Sequence, residues 1–310
     1  MSLVVCKVIN DKIYIESDSR ITDIDEGRKE SIYGVLKAII VHPRICISFA
    51  GSIYLAEKAV REIYNQKSVS SQYLIDTLLK YNSDGNRVVF TLCTLRNNKP
   101  EITKIANNNV ETGLTSAWIG DIDGFSEFQK QFHELIRKKQ PEKESLTQAF
   151  SRVIENPNIP TIADFQVSTI TETGPYGDRF FRYFEKFTLT LGRSQTITLK
   201  PHENSSSNEN HSIANSHIIN WGSAADGSYG VCYFVSVTPV INAIAYYFAH
   251  GNFGVLFCPK LSFEGIVIRN MDNIKFLEFI KSKYNIPLRG FMLRDNSAVQ
   301  LIDMRFPAKT

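Results

Sequence analysis

The sequence has little excess of either charge: 35 Lys and Arg stand against 32 Asp and Glu. So near a balance gives no reason to expect nucleic acid or an anionic membrane as a partner. No apolar run approaches the roughly 18 uncharged residues of a spanning helix. The most apolar stretch, from Gly230 to Pro259, is interrupted by Pro239, Asn242, His250, Gly251 and Asn252, which suits paired strands. The opening MSLVVCKVIN lacks the basic segment and apolar core of a signal peptide, so a cytoplasmic protein without a membrane span is expected. Cysteine is scarce. Cys6, Cys46, Cys93, Cys232 and Cys258 sit in apolar runs and form no CxxC pair, which argues against a zinc site or a disulfide framework and for buried thiols. His133, His202, His211 and His217 lack ligand spacing, and His250 reads as a turn residue. No GxxxxGK[ST] follows a strand, and Asp84-Gly85-Asn86 and Ser228-Tyr229-Gly230 read as plain turns. Neither a metal nor a cofactor is expected, and no internal repeat is visible.

What is present is ordinary globular composition, 43% hydrophobic and 22% charged, with enough apolar mass for a sizeable core. Leu3 to Ile9 and Ile13 to Ser17 are β-branched runs around Asn10-Asp11-Lys12, a hairpin signal. Lys37 to Val41 and Arg44 to Ala50 form a second strand pair around His42-Pro43. The period then changes. Ile53, Ala56, Val60, Ile63 and Tyr64 fall at helical spacing, and Tyr73, Leu74, Leu78 and Leu79 begin another stripe. Arg87 to Leu95, Glu101 to Ala106 and Thr115 to Ile119 return to strands, with turns at Asn97-Asn98 and Asn107 to Asn109. Two further helical stripes follow, through Phe125, Phe128, Phe132, Leu135 and Ile136, and through Leu146, Phe150, Val153 and Ile154. Asp164 to Thr171 reads as a strand. This alternation of paired strands with paired helices predicts an α+β chain built as a four-layer α-β-β-α sandwich over residues 2–172. Residues 173–310 read as a mostly β C-terminal extension with one helix, Asn273 to Lys283, and a mobile polar loop at 202–212.

An N-terminal hydroxyl nucleophile requires the hydroxyl, a free amine or relay as base, a lysine that lowers nearby pKa values, and a carboxylate that holds the lysine. The chain offers these in order. Ser2 becomes the first residue once Met1 is removed, Asp18 ends the second strand, and Lys37 opens the third. Phe49-Ala50-Gly51-Ser52 joins the fourth strand to the first helix, where a backbone N–H can face an oxyanion.

On these residues the segment resembles the proteasome β-subunits and related bacterial ring peptidases, the N-terminal nucleophile hydrolases. Asp18-Ser19-Arg20-Ile21-Thr22 matches their Asp-x-Arg-x-Thr motif, Gly51 follows Lys37 by 14 positions, and Asp18 follows Ser2 by 16, both family spacings. The resemblance implies Ser2 as nucleophile, Lys37 as the group that lowers its pKa, Asp18 as the partner of Lys37, and Gly51 as oxyanion donor. Thr22 would pair with the backbone of an extended peptide or amide substrate. The pocket for the scissile side chain would be lined by Ile21, Val35, Ile39, Phe49 and Ile53, all apolar. A large apolar side chain gains about 1.5–3 kcal/mol there, whereas a charged one loses several kcal/mol of hydration. A homo-oligomer is also implied. Some departures bear on activity. Serine stands where the family usually has threonine, and Trp118-Ile119-Gly120-Asp121 replaces a Gly-Ser-Gly segment. A later Asp-x-x-Ser-Gly has no counterpart in Asn158-Ile159-Pro160-Thr161-Ile162, so Asp121 is left to supply part of the support for the amine. The alternative expectation is a catalytically inactive relative that serves as an assembly or sensing module.

Overall fold

The structure, a computed structural model, describes residues 2–20, 34–66, 70–85, 87–159, 161–162, 165–184, 187–190, 196–199, 231–236, 241–248, 252–294 and 298–304. The chain divides into two compact units, Met1–Arg182 with Pro259–Glu264, and Tyr183–Cys258 with Gly265–Thr310.

In the first unit, β1 (Leu3–Ile9) and β2 (Lys12–Ser17) form the hairpin that Asn10-Asp11 requires. Both turn residues have positive φ, 49° and 60°, the condition of a two-residue turn whose twist matches its strands. Asn97-Asn98 and Asn107-Asn108 repeat the device, with φ between 51° and 61°. They join β5 (Val88–Arg96) to β6 (Lys99–Ala106) and β6 to β7 (Asn109–Leu114). The remaining strands are β3 (Ala38–His42), β4 (Ile45–Gly51), β8 (Ser116–Gly120), β9 (Val167–Thr173) and β10 (Arg179–Tyr183). They assemble two five-stranded sheets, ordered β10-β9-β2-β1-β8 and β3-β4-β5-β6-β7.

Among the described residues of this unit are four helices: α1 (Ile53–Tyr64), α2 (Ser71–Asn82), α3 (Ile122–Arg137) and α4 (Glu142–Ile154). The apolar stripe of α1 is inward as the spacing requires, with Ile53, Ala56, Val60 and Ile63 buried. Ser52, Ser70 and Asp121 cap α1, α2 and α3 with their side-chain oxygens. Leu3, Val5 and Ile9 of β1 share one core with Phe128 and Leu135 of α3 and Leu146, Phe150 and Val153 of α4. Each such side chain contributes about 1.5–3 kcal/mol on burial. That core fixes the start of β1, and with it Ser2.

The second unit holds β11 (Phe187–Thr190), β12 (Thr196–Leu199), β13 (Val231–Ser236), β14 (Ile244–Phe248), β15 (Phe253–Cys258), β17 (Leu288–Arg294) and β18 (Ala298–Asp303). With β16 (Ser262–Arg269), whose residues 262–264 are assigned to the first unit, they form an eight-stranded sheet. The helix α5 (Asn273–Tyr284), capped by Asp272, buries Phe276, Leu277 and Ile280 in a core with Phe234, Tyr247, Leu256 and Leu288.

The expected α+β chain, a four-layer α-β-β-α sandwich carrying an extension, is therefore corrected. The protein is mostly β: among the described residues strand outweighs helix, in three antiparallel sheets with five helices. A four-layer scheme has room for two sheets. The apolar runs after residue 183 build a third sheet and a core of their own, which outweighs the helix content of the earlier segment. The loop expected at 202–212 lies outside the described residues. Among the described residues, no helix is long and apolar enough to cross a membrane.

Candidate active site

The hairpin register assembles the first two groups. Val4 pairs with Ser17, so Asp18 comes opposite Leu3, the residue after Ser2. Asp18 Oδ1 accepts the Leu3 N–H at 2.9 Å, and Oδ2 accepts the Arg20 N–H at 3.2 Å. Ser2 is buried at the end of an interior strand, and its carbonyl accepts the Asp121 N–H at 2.7 Å.

Lys37 lies one residue before β3, and its carbonyl accepts the Phe49 N–H of β4 at 3.0 Å. Its Nζ donates to Asp18 Oδ2 at 2.7 Å and to the Arg20 carbonyl. The two side chains are 1% and 0% exposed, so this ion pair has lost its water. Burial pushes the Asp18 carboxyl above the usual aspartate range, while the Lys37 ammonium and the Leu3 and Arg20 N–H groups draw it back down.

Gly51 ends β4 at φ +104°, and a Cβ there would stand 2.2 Å from the Arg87 carbonyl oxygen. Only glycine fits this turn, which leads directly into α1. Gly120 has the same role at the end of β8: φ is +112°, and a Cβ would meet the Ser2 carbonyl oxygen at 1.8 Å. Asp121 follows. Its Oδ1 caps α3 through the N–H groups of Asp123 and Gly124, and its Oδ2 accepts Thr161 Oγ1 at 3.0 Å. Its carboxylate is thus engaged with the helix end and Thr161, while its backbone holds Ser2.

The structure joins Asp18 to Lys37 and to the peptide after Ser2, and it ties the strand that ends in Gly51 to Lys37 through Phe49. Ile21 and Thr22 lie outside the described residues. Val35, Ile39, Phe49 and Ile53 are all buried. Phe49 packs against Phe263, with ring centroids 5.6 Å apart, and Val35 forms an isolated antiparallel bridge with Glu264. Sequence reasoning did not single out Thr161 as a partner of Asp121, nor the Arg20 carbonyl, nor Phe263. A main-chain acceptor leaves no mark in residue identity, and Phe263 is more than two hundred positions from Phe49.

Cys6, Cys46, Cys93 and Cys258 are buried free thiols, and Cys6 Sγ lies 3.4 Å from Thr91 Oγ1. Burial pushes the Cys46 thiol well above its ordinary value. Among the described residues, no three His, Cys, Asp or Glu side chains converge as metal ligands would. No family model matches the chain, and no curated protein matches its sequence.

Proposed function

We propose that the protein is a proteasome-like peptidase or amidohydrolase that uses Ser2 as an N-terminal nucleophile after Met1 is removed. The observation that supports this reading is the buried Lys37–Asp18 pair, tethered through Asp18 Oδ1 to the N–H that follows Ser2. Two desolvated ions are poor value as mere glue, because apolar residues of similar volume stabilise as well or better. A fixed ammonium close to a nucleophile lowers the pKa of hydroxyl and amine groups around it.

The reaction balances without an added reagent. Ser2 Oγ bonds to the carbonyl carbon of the substrate as its proton passes to the freed α-amine. The N–H of Gly51 stabilises the oxyanion, and the carbon–nitrogen bond breaks as the leaving amine takes that proton. Water then releases the acyl group by the same path. The substrate is an extended peptide or amide with a large apolar side chain. We place this activity in the cytoplasm, where buried thiols stay reduced, and in a homo-oligomer, which sedimentation tests through the mass of the species.

Intact mass must first establish that Met1 is absent. A β-lactone that acylates N-terminal hydroxyls should then label the protein once per chain, and Ser2→Ala and Lys37→Ala should each abolish labelling. Undiminished labelling of either variant would refute the assignment, and a retained Met1 would do the same.

A further inference from the structure

The four described residues of the expected side-chain pocket are between 0% and 4% exposed. Something covers them, and part of it is visible. The segment Pro259–Glu264, a turn at 259–261 followed by the first three residues of β16, belongs to the same compact unit as the site. Its Phe263, 3% exposed, rests its ring on Phe49, and Glu264 bridges Val35 main chain to main chain. An aromatic side chain against the pocket wall, with the next residue paired to a strand segment, is how an extended peptide is held by a sheet edge.

We propose that the start of β16, after the turn at Pro259–Leu261, is a built-in occupant of the substrate site, with Phe263 in place of the scissile side chain and Glu264 in place of the substrate backbone. The inference rests on the hydrolase reading for what the pocket is for. The resting protein is self-occluded, and a peptide with an aromatic or large aliphatic side chain binds only by displacing the start of β16. Displacement lowers apparent affinity by the fraction of molecules that are open.

The test uses the full chain with Met1 removed and a fluorine-labelled probe, N-acetyl-dialanyl-4-fluorophenylalaninamide, followed by fluorine NMR. Phe263→Gly should bind this probe about tenfold more tightly than the wild type, as a resident competitor requires. The Ser2→Ala/Phe263→Gly variant should bind it equally well, and Phe263→Gly should react faster with the β-lactone. Where Phe263→Gly lacks a cooperative urea transition, Phe263→Leu carries the test, with a smaller gain in the same direction. Equal probe binding by the wild type and the substituted chain, or binding by neither, overturns the occupant. A gain in probe binding with no labelling of any variant leaves the occupant standing and overturns the hydrolase reading instead.

Discussion

Lys37 holds its ammonium at 1% exposure, where it donates to Asp18 and to the Arg20 carbonyl. Removing one member strands the other. Lys37→Met should therefore destabilise the fold by about 3–5 kcal/mol, the cost of an uncompensated buried charge. Asp18→Asn added to Lys37→Met removes that charge but keeps an acceptor for the Leu3 N–H, so the double variant should recover much of the loss. Urea midpoints of the three proteins check the order, and a double variant less stable than Lys37→Met would contradict it. The Asp18–Lys37 pair was legible in the sequence because one residue ends a hairpin and the other opens the next strand. Phe263 and Thr161 were not, since each meets its partner across the fold with no periodic trace.

Two strands, β4 and β8, end on glycines for steric reasons, and these can be weighed against a third glycine. At Gly120 an added Cβ meets the Ser2 carbonyl at 1.8 Å with φ +112°, whereas at Gly113, φ +69°, nothing lies within 4 Å. Gly113→Ala should lose only the conformational penalty of about 1–2 kcal/mol. Gly120→Ala adds a displaced buried hydrogen bond, Asp121 N–H to Ser2, and should lose roughly 2–4 kcal/mol together with labelling. Equal losses at the two positions in urea unfolding would show that the contact with Ser2 is immaterial. The asparagine-rich turns and four helical stripes could be read from the chain because turn chemistry and period are local. The edge strand β7 could not: Val110, Glu111 and Thr112 are polar or part-exposed, so no alternation marks them.

The sheet that carries Ser2 closes over long separations: Leu3 pairs with Gly120 and Ser17 with Val167, 117 and 150 positions apart. Loop closure must come before those contacts reward it, so refolding from urea should be slow, on the order of seconds, with a collapsed intermediate. Trp118, stacked on Phe125 at 4.0 Å, provides the fluorescence signal in a Trp221→Phe background. Single-exponential refolding in under a millisecond would contradict this. The same non-locality hides the fold class from the sequence: a third sheet built from β11 to β18 joins residues that no window spans. Long separation has a further consequence during synthesis. The first unit takes in Pro259–Glu264 only after 82 more residues, 264 − 182, have followed Arg182. At about 5–20 residues per second that is a wait of roughly 4–16 s. Through that interval the nascent chain has Val35 without its Glu264 bridge and Phe49 without the Phe263 ring.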